Sequence, residues 1–246
     1  MIPSVFIFLF GLVIGSFLNA VIWRIDSRRP IWRGRSVCPT CLHELSWQDL
    51  IPVLSFLLLC GRCRYCAAAI SWQYPFVELA CGVLFVATSF PQSSLPGLAL
   101  LWYLVASLIV IFVYDLKHSI IPDEVVYPAI VVSLGASLMS PDALISGILA
   151  SGFFFAIHAL SRGQWMGLGD VKLALLMGLM LGFPGILVAL FFSFVAGAAF
   201  SLPLVLARKK QWKSEVPFGP FLVAGTFVAL FWGENIANWY LGLILS

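Results

Sequence analysis

Residues 98–115 read LALLWYLVASLIVIFVYD: an apolar run from Leu98 to Tyr114 that ends on a carboxylate, Asp115. The run belongs to a longer stretch, 79–114, that contains no Asp, Glu, Lys or Arg, and residues 173–207 form a second such stretch. One membrane crossing takes about 20 apolar residues, so each stretch has room for a helical hairpin. Across the 246 residues, 61% are apolar and only 10% charged, with 21 Phe and nine Trp. The mean hydropathy is +1.03, whereas a soluble domain carries about 25% charged residues. Too few polar residues exist to build a water-facing surface. A soluble enzyme, a disordered chain and a nucleic-acid-binding protein are excluded, and an all-α polytopic integral membrane protein remains.

Working outward, spans are expected near 2–23, 76–90, 97–114, 124–139, 142–160, 171–183, 186–206 and 218–233, about eight crossings of the bilayer. Pro91 and Pro96, Ser140-Pro141-Asp142 and Phe183-Pro184-Gly185 supply the breaks between them. The last apolar stretch, 236–246, is too short to cross and is expected at the interface. The first apolar run has no basic leader, and Arg24, Arg28 and Arg29 follow it. That order predicts a retained first helix with its N-terminus outside. Seven arginines (24, 28, 29, 33, 35, 62 and 64) then share the loop 24–75. Lys117, Arg162, Lys172 and the group Arg208, Lys209, Lys210 and Lys213 complete the 14 basic residues, all on one side. The positive-inside rule makes that side cytoplasmic. No internal repeat is evident.

The loop 24–75 carries Cys38-Pro-Thr-Cys41 and Cys63-Arg-Tyr-Cys66, two C-x2-C pairs separated by 21 residues. This is the spacing of a four-thiolate zinc site, with no open position left for catalysis. Disulfides and unpaired thiols are the competing readings, and a reducing cytoplasm disfavours the first. His43 lies between the pairs as an alternative ligand, while Cys60 and Cys81 read as buried apolar residues. Between the pairs, Ile51-Pro-Val-Leu-Ser-Phe-Leu-Leu-Leu-Cys60 is too short to span and too apolar for water, so it is expected to rest on the membrane or the helix bundle.

Ionisable residues inside a membrane are costly and mark function. Asp115 ends the third span, and Asp170, in Gly167-Leu-Gly-Asp170, precedes the sixth. These spans run in opposite directions, so both carboxylates reach the same cytoplasmic border. Such a pair suits general acid–base hydrolysis, one carboxyl protonated and one ionised. The competing readings are an N-cap for Asp170 and a solvated helix-end charge for Asp115. Asp123, in Ile121-Pro-Asp-Glu124, is a rival acid that also reads as a helix N-terminal charge. Glu78 caps the second span or binds substrate. His158 reads as a satisfied bundle residue, and Ser16 and Asn19 as polar glue between helices. There is no G-x-S-x-G and no H-E-x-x-H. A transporter with proton-relaying acids is disfavoured because the acids cluster at one edge and no inverted repeat is visible. A non-catalytic, zinc-bearing assembly factor is a third class.

Taken in order, Gly15-Ser-Phe-Leu-Asn19, the paired C-x2-C loop, Tyr74-Pro-Phe-Val-Glu78, Asp115 with Ile121-Pro-Asp123, Gly167-Leu-Gly-Asp-Val-Lys172 and Pro217-Phe-Gly-Pro220 resemble the bacterial type IV prepilin peptidases, also called prepilin leader peptidase/N-methyltransferases. The resemblance covers nearly the whole chain. It implies a G-x-G-D membrane aspartyl protease with Asp115 and Asp170 as the catalytic pair, deciding between Asp115 and Asp123. It also implies S-adenosylmethionine-dependent methylation of the new N-terminal amine, and prepilin or pseudopilin substrates in the inner membrane. The implied division is a first helix at 1–23, a cytoplasmic zinc loop at 24–75 and a peptidase domain at 76–246. Gln73 departs from the pattern, since a basic residue is expected before Tyr74-Pro75. The methyl-donor site is not placed by any glycine-rich nucleotide motif.

Overall fold

The structure, a computed structural model, describes residues 3–90, 94–138, 140–206 and 217–245. The basic group Arg208, Lys209, Lys210 and Lys213, and Pro91, lie outside the described residues. The chain is an all-α integral membrane protein. Its helices are α1 (Ser4–Asp26), α2 (Leu54–Leu58), α3 (Gln73–Ser89), α4 (Leu95–His118), α5 (Asp123–Ser137), α6 (Pro141–Leu160), α7 (Leu168–Leu181), α8 (Gly185–Leu206) and α9 (Gly219–Leu245). By length and composition α1, α4, α6, α8 and α9 suffice to cross a membrane. α3, α5 and α7 are shorter, at 17, 15 and 14 residues. At 1.5 Å per residue α7 extends only about 21 Å. Its Leu173, Ala174, Leu176 and Met177 are fully buried, so protein rather than lipid surrounds it.

One expectation about the elements is corrected. Residues 236–245 do not stand apart from the preceding apolar run but continue α9 without interruption. Gly233, Glu234 and Asn235 weaken the apolar pattern there, yet no proline removes a backbone donor, so the hydrogen-bond ladder runs through.

Two compact units make up the chain, Met1–Val110 and Ile111–Ser246. In the first, α1 packs on α3. Gly11 and Gly15, one turn apart, allow the two backbones to meet: a Cβ on Gly11 would stand 2.7 Å from Gly82 Cα, and one on Gly15 2.6 Å from Glu78 Cα. Small residues four apart are the membrane solution to close helix packing, because lipid offers no hydrophobic drive between helices. In the second unit α7 lies against α5, α6, α8 and α9. The Ser137 hydroxyl donates to the Leu179 carbonyl at 3.0 Å, tying α5 to α7. Outward faces are apolar: Phe6, Phe10 and Val13 on α1, Ile148, Leu149 and Phe153 on α6, and Leu187 and Phe191 on α8 are all exposed, as lipid contact requires.

Candidate active site and cysteine cluster

Asp115 sits in the last turns of α4, yet only 4% of it is exposed. Its carboxylate lies at the N-terminus of α9, where the Gly219 N–H faces it and the helix dipole favours an anion. A Cβ on residue 219 would stand 2.5 Å from Asp115 Oδ2, so any side chain there would displace the carboxyl. That Oδ2 is buried without a hydrogen-bond partner, an orphaned acceptor that calls for a functional explanation.

Asp170 is half-buried in the first turn of α7. It is not the N-cap, as one reading had it. α7 begins at Leu168 with Gly167 as its cap, and Asp170 Oδ2 accepts the Gly167 N–H at 3.2 Å from the third helical position. At Gly169 a Cβ would stand 3.1 Å from the Ile121 side chain, so a small residue lets α7 start close to the α4–α5 turn. Asp170 lies within electrostatic reach of Asp115. Asp123 goes elsewhere: it opens α5 and takes an ion pair from Lys172 Nζ at 2.7 Å. Lys172 also stands 4.7 Å over the Tyr127 ring. The lysine two residues from Asp170 is thus paired with the rival acid.

The first unit gathers Cys38, Cys41, Cys63 and Cys66, with all four sulfurs within 4.8 Å of one another. Each pair folds alike. Cys38 N–H donates to the His43 carbonyl and Leu42 N–H to Cys38; Cys63 N–H donates to Ala68 and Ala67 N–H to Cys63. Leu42 and Ala67 both turn back at positive φ, 57° and 56°. The two C-x2-C pairs therefore repeat in backbone conformation as well as in sequence. Tetrahedral thiolates with zinc bonds of 2.3 Å stand about 3.8 Å apart, and Cys38 Sγ and Cys66 Sγ are 3.9 Å apart. The donor set fits zinc. For Cys38, burial opposes ionisation, but the Cys41 and Thr40 N–H groups outweigh it and bring the thiol to about 7. For Cys66, the Ala68 N–H favours the thiolate, yet burial and the three neighbouring sulfurs push it up to about 12.

His43 does not join the cluster; its ring lies against that of Tyr65, with centroids 3.7 Å apart and planes tilted by 36°. Cys60, expected to be buried, is exposed at the end of the α2 segment, while Cys81 is buried as expected. Between the knuckles, Asp49 accepts hydrogen bonds from Arg64 Nε at 2.7 Å, Tyr65 Oη at 3.0 Å and Ser46 Oγ at 2.8 Å. Burial works against this charge, but Arg64 and the other donors hold its carboxyl below the usual range.

Residues 9–91 match the family described as Bacterial Peptidase A24 N-terminal domain, and residues 102–202 match the Type IV leader peptidase family. A Bacillus subtilis (strain 168) protein named prepilin leader peptidase/N-methyltransferase is 34% identical over 98% of this chain and 98% of its own. Aeromonas salmonicida (strain A449) has one 34% identical, covering 97% and 94%, and Pseudomonas aeruginosa one 31% identical, covering 95% and 91%. The chain belongs to the prepilin leader peptidase/N-methyltransferase family. No solved structure is a significant match.

Within this member of the prepilin peptidase family, several residues gain partners that sequence reading did not foresee. Gly219 at Asp115 carries no assigned role in the sequence reading, where Pro217-Phe-Gly-Pro220 enters only as a motif of the resemblance. Glu78 was expected at a helix start. It lies well inside α3 instead, 7% exposed, and its Oε2 accepts the Val53 N–H at 2.7 Å. The apolar segment 51–60 is thereby fastened to the helices of its own unit, and Phe56 is buried with its ring 4.9 Å from that of Trp72. His158 is satisfied by the Met166 carbonyl at 2.8 Å from Nδ1.

Proposed function

We propose that this protein cleaves the short basic leader from type IV prepilins or pseudopilins with an Asp115–Asp170 dyad, and then methylates the new N-terminal residue. The observation that carries this reading is the buried Asp115 carboxyl with its orphaned oxygen, within electrostatic reach of Asp170 on α7. In cleavage, the ionised carboxyl removes a proton from water as it adds to the scissile carbonyl carbon. The protonated carboxyl hydrogen-bonds the carbonyl oxygen. Collapse of the tetrahedral intermediate then breaks the C–N bond, and the leaving amine takes a proton from the dyad. The burial of Asp115 supports this chemistry by keeping bulk water from that carboxyl.

The N-terminus is outside and the dyad at the cytoplasmic border, a placement supported by the one-sided basic residues. A bond near the cytoplasmic end of a membrane-embedded pilin helix is within reach of that border. The organisation is a first helix at 1–23, a cytoplasmic loop at 24–75 and a membrane peptidase domain at 76–246. When bound, S-adenosylmethionine supplies the methyl group. Cys38, Cys41, Cys63 and Cys66 hold a structural zinc that clamps the two knuckles.

The decisive experiment uses purified protein in liposomes with a full-length prepilin. Mass spectrometry should report a lost leader and, with S-adenosylmethionine added, a pilin N-terminus heavier by one methyl group. An unprocessed prepilin would overturn the reading. Metal analysis should return about one zinc per chain, and Cys38→Ser should lose most of that zinc and lower the melting temperature. Zinc-free wild-type protein would refute the clamp.

A further inference from the structure

The dyad makes no use of the buried carboxylate of the first unit. Glu78 accepts a hydrogen bond from the Val53 N–H at 2.7 Å, a neutral donor, and Ser16 faces it from α1. Among the described residues no Lys, Arg or His forms an ion pair with it. A carboxylate buried in a membrane protein without a counter-charge is costly, and its partner is to be sought in a ligand.

An independent observation lies on the same α1–α3 seam. Asn19 Nδ2 donates to the Tyr74 carbonyl at 3.0 Å, which turns Asn19 Oδ1 toward Gln73 Nε2 at 3.3 Å. That chain of donors fixes the Gln73 amide and leaves its Oε1 buried without a partner. Ser16 and Asn19 are three apart and share one face of α1, so Glu78 and Gln73 both lie along that face. The unsatisfied capacity is all acceptor. Above Glu78, Val53 holds φ 60° and ψ −49°, and the Leu54 N–H closes a tight turn on the Pro52 carbonyl at 2.5 Å. A β-branched residue is strained there, and such strain gathers at functional sites.

Building on the methyl-transfer reading above, we infer that Glu78 and Gln73, backed by Ser16 and Asn19, form a subsite for an organic cation, a sulfonium or alkylammonium group of the methyl donor or acceptor. Acceptors alone suit a group that offers only positive charge and N–H or polarised C–H. Through Val53 the same carboxylate latches the cysteine loop to the subsite.

The test is binding calorimetry on the full-length, zinc-loaded protein in detergent. Its probes are S-adenosylmethionine, S-adenosylhomocysteine, a Phe-initiated pilin peptide with a free amine, and the N-acetylated peptide. Glu78→Gln keeps an acceptor for the Val53 N–H and removes the charge. It should weaken the cationic probe on the order of tenfold or more, with zinc content and melting temperature unchanged. A loss for S-adenosylmethionine alone assigns the sulfonium. An equal loss for both adenosyl compounds assigns the donor's ammonium. A loss for the free-amine peptide alone assigns the acceptor. Wild-type affinity of Glu78→Gln for every probe overturns the subsite and leaves methyl transfer standing, whereas wild-type protein that binds no probe overturns both. If Glu78→Gln does not fold, Gln73→Met, which spares the Val53 latch, decides in its place: unchanged affinities overturn the subsite.

Discussion

Asp115→Asn and Asp170→Asn should each slow prepilin cleavage by roughly a hundred- to ten-thousandfold, the range that general acid–base groups contribute. Asparagine preserves shape and one carbonyl acceptor, so the Gly167 N–H keeps its partner and the Gly219 backbone keeps its neighbour. What disappears is a group able to trade protons. Both variants should remain folded and zinc-loaded, because the cysteine cluster belongs to the first unit and both aspartates to the second. Asp123→Asn is the informative contrast. Its ion pair with Lys172 is exposed on the Asp123 side, at 57%, and such pairs are worth about 0–1 kcal/mol. It should retain cleavage within severalfold. Single-turnover cleavage in liposomes measures all three. A dead Asp123→Asn beside an active Asp115→Asn would move the dyad, and three active variants would end the aspartyl-protease reading.

Gly219→Ala should cost roughly a hundredfold in cleavage rate, the penalty for displacing a reacting group by about 1 Å. The new methyl would stand 2.5 Å from Asp115 Oδ2 and 3.1 Å from its Cγ. Either the carboxyl turns away or the start of α9 shifts, and in both cases the orphaned oxygen leaves its place. Overpacking of this kind destabilises by about 1–3 kcal/mol, so the protein should still fold. Gly152→Ala, on α6, is the control: nothing lies within 4 Å of its Cβ position. There alanine should be neutral or stabilising by about 0.5–1 kcal/mol, because a helix interior disfavours glycine. Normal cleavage by Gly219→Ala would show that Asp115 needs no fixed position against α9.

Both variants probe how the acids are held, and that is where local sequence pattern stops being informative. The charge-free stretch 79–114 and its terminal Asp115 were readable, because lipid excludes charge and leaves that exclusion in the composition. The cysteine knuckles were readable for a similar reason, since a tetrahedral metal imposes a ligand spacing. Helix ends were less so: Gly167, not Asp170, caps α7, and 236–245 continues α9 because no proline stops it. Cys60 was misjudged from residue type alone, which carries no information about which side of a short segment faces outward.

By itself, then, the sequence determined the membrane environment, the all-α class, the thiolate loop and the small set of acids from which a dyad could be drawn. Each follows from a constraint that acts residue by residue: the cost of charge in lipid, the need to satisfy every backbone donor, and the reach of a ligand to a metal. Only the tertiary structure gave those acids their neighbours. Lys172 turns to Asp123, Asp115 to Gly219 and Asp170, and Glu78 to Val53. Those partners lie far apart along the chain, and glycine-sized contacts such as Gly15 on Glu78 and Gly147 on Gly178 set where helices touch. A periodic pattern specifies that a helix has a packing face; it does not specify which helix that face will find.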